Sequence, residues 1–278
     1  MSEVVIKVDH LRKTFRDYKR NIQKMQHMLL LMRTGDINNV FRDVSFEIRK
    51  GEKVAIITKP GGGKSTMLRL LAGILTPEKG SVTINGKVTA ILDYKYGFEN
   101  NLTVEDNYEM KCSLLQWPRS VVKEREEAIL KFARLYKEKD KTLKAVKAFG
   151  ANRLGYAITT YEKPDILIFD EKFAFGGKAY VTKYMKHLKK LVDDPEVTLV
   201  MSVYKVSETA QFCTRGIIIN DGVVVFDGSY EDATAYYREH IGATTARRKK
   251  NEREEAAEEA SAEAVEEAED SDDDDGMD

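Results

Sequence analysis

The chain opens on alternation. In EVVIKVD, residues 3–9, apolar and polar positions take turns, the period of a strand with one buried face. VFRDVSFEIR repeats the strand pattern, closes on a Lys50-Gly51 turn, and leads into an apolar run over Val54–Ile57. A glycine-rich stretch follows, and then helical spacing over Ser65–Leu71. GSVTINGKVTAIL predicts two short strands around an Asn85-Gly86 turn. From about residue 102 to 160 the chain turns long-period and charged with few β-branched runs, which predicts a helical subdomain. Asp165–Phe169 is short and uncharged after its first residue, like a strand in the middle of a parallel sheet. A helix over Ala179–Val192, a strand over Thr198–Tyr204, a hairpin turning at Asp221-Gly222 and a helix near Tyr230–His240 follow. Strands alternating with helices give an α/β fold, and no internal repeat is present.

Two stretches fall outside this rhythm. Residues 16–39 form an irregular, basic insertion, within which Ile22–Met32 has helical apolar spacing. Its methionine-rich face reads as core or partner surface rather than a cofactor site. Residues 247–278 lack aromatics and end in an acid block. Such a segment cannot bury enough apolar surface to offset its ordering entropy, so a disordered acidic tail is expected beyond a folded domain spanning 1–246.

Charge sharpens that division. The tail carries 5 Lys/Arg and 15 Asp/Glu, which leaves 40 basic and 31 acidic residues in the body of a chain whose net charge is only −1. A basic body suits an anionic membrane surface or an acidic partner, and equally an ordinary solvated surface. No aromatic-interleaved basic stripe marks a nucleic-acid interface. The 278 residues, 42% hydrophobic, supply ample core, while no apolar run is long enough to span a bilayer. The first residues lack the pattern of a secretory signal, and Cys112 and Cys213 stand in no metal-ligand spacing, so a reduced, cytosolic compartment is expected.

The strongest chemical signal is TKPGGGKST, comprising Thr58, Lys59, Pro60, Gly61, Gly62, Gly63, Lys64, Ser65 and Thr66. Three glycines let the backbone wrap an anion with its N–H groups turned inward. Lys64 offers an ammonium to the β- and γ-phosphates, and Ser65 offers a hydroxyl to Mg²⁺ at the start of a helix whose dipole favours phosphate. The usual pattern has glycine where this chain has Thr58, a change that either tightens the turn or costs affinity. About 100 residues downstream, PDILIFDE delivers Asp170 and Glu171 at the end of an apolar strand. Asp170 is placed to hold Mg²⁺ through water and Glu171 to polarise the attacking water.

With both motifs in place, the sequence resembles the ATP-binding subunits of ABC transporters, over roughly residues 3–240. The resemblance is carried by FRDVSFEIRKGEKVAII, LRLLAGILTPEKGSVTINGKVTAIL, YGFENNLTVEDN, PDILIFDE and INDGVVVFDGSYEDATAYY. The early insertion and the segment around NLTVEDN resemble the polysaccharide-export branch, which handles capsule, O-antigen and teichoic acid. The resemblance implies a P-loop lobe with an inserted helical subdomain, ATP and Mg²⁺ as ligands, and a head-to-tail dimer, homomeric or heteromeric, with two ATP between the subunits. It further implies a transmembrane permease partner and peripheral contact with the cytoplasmic face of the membrane, where the insertion at 16–39 could touch lipid headgroups or the permease. Phe15 stands where the family packs an aromatic on adenine, and Asp93 where it has the residue that senses Mg²⁺ and meets the permease.

Three positions depart from the family. The signature serine-glycine pair belongs near residues 146–153, but the chain reads VKAFGANRLGYA, with no serine in frame before Gly150. Tyr204 takes the place of the switch histidine, and Gly177 that of an aspartate after the catalytic glutamate. Each lost group acts on the γ-phosphate, the attacking water or the dimer contact. Removing one preorganised stabiliser costs about 10²–10³ in rate, so slow turnover with retained binding is expected. The leading reading is an ATPase subunit of a polysaccharide or lipid-linked glycan exporter. The alternatives are a degenerate nucleotide-binding regulatory subunit and a P-loop NTPase unrelated to transport.

Overall fold

The computed structural model describes residues 3–17, 36–92, 97–146, 149–170, 178–203 and 209–242. Contacts divide the chain into one unit, Met1–Ala233, and a second, Thr234–Asp278. The strands are β1 (Val4–Asp17), β2 (Asp36–Arg49), β3 (Lys53–Thr58), β4 (Lys79–Ile84), β5 (Val88–Ile91), β6 (Ile166–Phe169), β7 (Thr198–Ser202), β8 (Arg215–Asn220) and β9 (Val223–Ser229). The helices are α1 (Lys64–Leu71), α2 (Val104–Leu114), α3 (Arg119–Ala133), α4 (Gly150–Thr159), α5 (Lys178–Val192) and α6 (Tyr230–Tyr237). Among the described residues the nine strands run in the order β4-β1-β2-β9-β8-β3-β7-β6-β5.

One half of the sheet, from β8 to the edge strand β5, is parallel. β3 pairs with β7 and β8, and β6 with β5 and β7, all in the same direction. These are the uninterrupted apolar runs: every residue of ILIF and TLVMS is buried, as is β3 from Val54 onward. A strand covered on both faces has no reason to alternate, which is why these segments read as continuous. At the other side β1 lies antiparallel between β2 and β4, and there the alternation of one-sided burial returns. β8 and β9 close a hairpin through Asp221 (φ 49°) and Gly222 (φ 80°), the two positive dihedrals that a tight two-residue turn requires.

Two expectations change. GSVTINGKVTAIL does form two strands at Asn85-Gly86, but they do not pair: β4 and β5 occupy opposite edges of the sheet. The Asn85 N–H donates to the Val5 carbonyl (2.8 Å), while the Lys87 N–H donates to Asp165 (2.8 Å), so the turn passes the chain from one flank to the other. The irregular insertion is also shorter at both ends than 16–39. β1 runs on to Asp17 and β2 starts at Asp36, paired as Phe15↔Asn38, Arg16↔Ile37 and Asp17↔Asp36. The Ile22–Met32 segment and the tail from 247 onward lie outside the described residues.

A second core sits among α2, α3 and α4, built from Val104, Tyr108, Ile129, Leu130, Leu154 and Ile158. The NLTVEDN segment secures its entrance. Thr103 Oγ1 accepts from the Asp106 N–H (3.0 Å) and the Asp106 carboxylate accepts from the Thr103 N–H (3.2 Å), a reciprocal cap for α2. Buried Asn107 donates to the Thr103 and Glu99 carbonyls (2.8 and 2.9 Å) and accepts from the Glu99 N–H (2.7 Å), fixing the approach. In the second unit the described residues continue α6 into a wider turn over Arg238–Gly242, where the Tyr236 and His240 rings stack at 4.2 Å.

α4 and α5 meet through an aromatic cluster. Tyr156 and Tyr184 lie 5.0 Å apart, Phe132 and Tyr184 5.5 Å, and Phe132 and His187 4.8 Å. His187 Nδ1 sits 3.0 Å from the Tyr156 hydroxyl. Burial, helped by Lys190 and Lys183, holds this imidazole below its ordinary 6.5. The unfolded chain therefore takes the proton more readily, and stability is lost as pH falls below 6.5 toward the folded value. Melting midpoints measured across that range are expected to fall with acid in the parent chain and to fall less in His187→Gln, which keeps a polar partner for Tyr156 without titrating.

Candidate functional site

The phosphate loop springs from the C-terminal end of β3. Thr58 is buried, and its hydroxyl donates to the Lys59 carbonyl (2.8 Å), which also accepts from the Gly62 N–H (2.9 Å). The threonine that departs from the usual glycine thus closes the turn from below. A Cβ on Gly62 would stand 2.9 Å from Thr58 Oγ1, so the side chain at 58 is accommodated because the one at 62 is missing. Gly61 (φ 75°) and Gly63 (φ 93°) are left-handed, and a Cβ on Gly63 would strike Val40 Cγ1 at 2.4 Å. Such a loop accepts glycine and little else.

α1 begins at Lys64 directly after Gly63, with no side-chain cap and no acidic residue in its first turn. The N–H groups of Lys64, Ser65 and Thr66 precede the first intrahelical bond, from Met67 N–H to the Gly63 carbonyl (2.8 Å). They form the positive end of a helix and suit an oxyanion. The Lys64 ammonium turns back to the Thr58 carbonyl at 3.4 Å, over the mouth of the loop. Lys59 pairs with Asp221 at the β8–β9 turn and lowers that carboxyl, while the Gly222 carbonyl accepts from the Arg42 N–H (2.8 Å). The loop is therefore fastened to both β2 and the hairpin.

Asp170 follows β6, only 5% exposed, and its N–H donates to the Ile91 carbonyl (3.1 Å) at the end of β5. Ser202, the last residue of β7, donates its hydroxyl to Asp170 Oδ1 at 2.6 Å. The sequence reading missed Ser202; nothing in TLVMSVY marks it, and only the β6–β7 register, Phe169↔Met201, brings it beside the carboxylate. β3, β7 and β6 are neighbours, so the loop, Ser202 and Asp170 share one end of the parallel sheet, the carboxyl end where open α/β sheets bind ligands. The glycine cradle, the hydroxyl of Ser65 and the oxygen of Asp170 fit a triphosphate with a hard divalent cation, which takes oxygen donors and keeps several waters. Phe15, 37% exposed, lies on β1 two residues beyond Lys13, the partner of Phe41, and Phe41 touches the Gly63 position. Glu171, Asp93, Tyr204 and Gly177 lie outside the described residues.

The ABC transporter family profile matches residues 41–174. The O-antigen export system ATP-binding protein RfbB of Klebsiella pneumoniae is 33% identical over 197 residues, covering 71% of this chain and 80% of that protein. The chain belongs to the ABC transporter ATPase family. Its relatives lie in the polysaccharide-export branch, among them the teichoic acids export ATP-binding protein TagH of Bacillus anthracis, 27% identical over 236 residues. That match covers 85% of this chain but 43% of TagH, so this ABC chain spans less than half the length of that relative. A dimeric ATP-binding cassette in a post-hydrolysis state, bound to ADP and Pi, shares the fold at a TM-score of 0.63 and 21% identity, over 81% of this chain and 98% of that one.

The Ser202–Asp170 bond generates a test. Ser202→Ala leaves a buried carboxylate oxygen without its donor, at a cost of about 1–3 kcal/mol in unfolding free energy. Nucleotide titrations with and without Mg²⁺ are expected to show a larger loss in the presence of the metal. An equal loss in both would make Ser202 a purely structural residue.

Proposed function

We propose that this chain is the ATP-binding and ATP-hydrolysing subunit of an ABC exporter for a polysaccharide or lipid-linked glycan. The observation that carries the reading is the convergence of the phosphate loop, Ser202 and Asp170 on one end of three adjacent parallel strands, in a chain whose relatives are named for O-antigen and teichoic acid export. The ATPase domain occupies residues 1–246. It works as a homodimer or with a second ATPase subunit, against a transmembrane permease, from the cytoplasmic face of the membrane. No helix among the described residues is long and apolar enough to cross a membrane, which fits a peripheral subunit whose partner supplies the spans.

The residues divide the work. The loop from Thr58 to Gly63 and the first N–H groups of α1 bind the phosphates, and Lys64 exchanges its 3.4 Å contact with the Thr58 carbonyl for their charge. Ser65 and Asp170 would hold Mg²⁺, with Ser202 keeping Asp170 in orientation and Asp93 sensing the metal; there the cation would neutralise charge that develops on the transferring phosphoryl group. Glu171 orients and polarises the attacking water, Tyr204 takes the position of the switch histidine, and Phe15 packs on the base. Turnover is slow, because the signature region offers no serine. Its helix α4 instead opens on Phe149, 44% exposed and held at φ 70°.

Lys64→Ala is expected to weaken ATP binding by at least tenfold, measured by fluorescence titration; unchanged binding would sink the phosphate-loop reading. Steady-state ATPase activity is expected to rise when the permease is added. Glu171→Gln is expected to abolish that activity and to accumulate an ATP-bound dimer on gel filtration. If Glu171→Gln leaves both the rate and the oligomeric state as they were, the chain is a nucleotide-holding regulatory subunit instead.

A further inference from the structure

A cavity of about 460 Å³ is lined by Lys131, Arg134, Tyr136, Lys137, Glu138, Arg153 and Tyr180, none of them in the phosphate loop. Its size falls within the range of about 300–1,000 Å³ usual for small-ligand clefts. The lining carries four cationic side chains against one carboxylate, and Glu138 already leans toward Lys141 at 3.7 Å. Lys131 is likewise engaged, with Glu127. Arg134 and Arg153 have no carboxylate among the described residues. Both guanidinium groups instead lie against a single phenol ring, 5.2 and 4.5 Å from the Tyr180 centroid.

Arg153 is the decisive residue. It is 3% exposed, and its Nε is buried with no hydrogen-bond partner among the described residues. A buried donor without a partner costs about 1–3 kcal/mol, and more when charged. A guanidinium buried without a counter-charge is a larger liability, which an anion would remove. Lys183, one helical turn from Tyr180 on α5, reports the same crowding: burial, then Arg134 and Arg153, push its ammonium below the ordinary value. Tyr136 and Tyr180 also line the cavity and add apolar surface for an organic body.

We propose that this cavity is a second anion site, in which Arg134 and Arg153 bind the dianionic phosphate group of a small organic phosphate and Tyr136 and Tyr180 flank its body. Two guanidinium groups with no carboxylate among the described residues match a dianion better than a single carboxylate, and their planar forks suit phosphate oxygens. The site is separate from the phosphate loop, since no loop residue lines it. The same phosphate chemistry is presented by a soluble phosphomonoester and by a lipid headgroup.

The test uses the full chain carrying Lys64→Ala, so that the phosphate loop does not dominate the signal. Calorimetric titration with inorganic phosphate and with phenyl phosphate is expected to show one saturable site, tighter for phenyl phosphate. Adding Arg134→Asn is expected to weaken it at least tenfold. Arg134 occupies a left-handed position after α3 (φ 56°), which asparagine tolerates, so this variant removes the charge without breaking the turn. Circular dichroism checks that the fold is kept. Flotation with phosphatidylcholine vesicles, with and without phosphatidic acid, separates the sources. Vesicle binding that depends on Arg134 assigns a headgroup, and binding of soluble phosphates alone assigns a free ligand. No saturable site in Lys64→Ala, or affinities that Arg134→Asn leaves unchanged for phosphates and vesicles alike, would overturn the proposal.

Discussion

Everything at the nucleotide end depends on one close approach: the backbone of the phosphate loop lies against β2 where no side chain could fit. Gly63 is the point of contact, and a Cβ there would stand 2.4 Å from Val40 Cγ1 and 2.9 Å from the Phe41 ring. Because the loop rests on β2, the antiparallel flank sets how deep it lies, and α1 starts from that depth. The Lys59–Asp221 pair and the bond from the Arg42 N–H to the Gly222 carbonyl then hold the loop from the hairpin side. The exposed ion pair adds little free energy by itself. Its value is positional, since it joins the loop to the turn whose backbone is already bonded to β2.

Burial of Asp170 follows from the same architecture. Its strand is apolar because it is covered on both faces between β7 and β5, and the chain must still deliver an acid at the strand's C-terminal end. A carboxylate so nearly covered needs donors. Ser202 supplies one from the next strand, in register with the backbone ladder that makes the sheet. The hydroxyl is thus part of the site for the same reason that β6 and β7 are neighbours.

Much of this could be read from the chain alone, and the parts that could not have a common cause. The parallel strands declare themselves as apolar runs, the hairpin as Asp221-Gly222, and the loop as three glycines before Lys64, because each is a local signal. The separation of β4 from β5 is not local. Asn85-Gly86 reverses the chain, but whether its flanking strands pair depends on which edges of the sheet are free, and β1 and β6 had already claimed them. The full length of β1 is not local either: beyond residue 9 its alternation fails at register shifts, and pairing with β2, and with β4 as far as Arg12, keeps it extended. Ser202 and the Arg134–Tyr180–Arg153 cluster are likewise products of contact between distant segments.

The start of α4 shows how a missing motif can be a packing decision. A residue with a bulky side chain in the left-handed region costs roughly 1–2 kcal/mol, and glycine is the natural occupant. Here the strained position holds Phe149, while the glycine is one place later, in helical conformation. That placement has its own reason: a Cβ on Gly150 would meet Val146 Cγ1 at 2.9 Å, so the second core demands a glycine there. With the glycine committed to packing, the strain falls on the aromatic, and the helix presents a ring to solvent at its first turn. A chain under selection for fast phosphoryl transfer would have little reason to keep this arrangement, and the slow turnover proposed for this subunit is its physical counterpart.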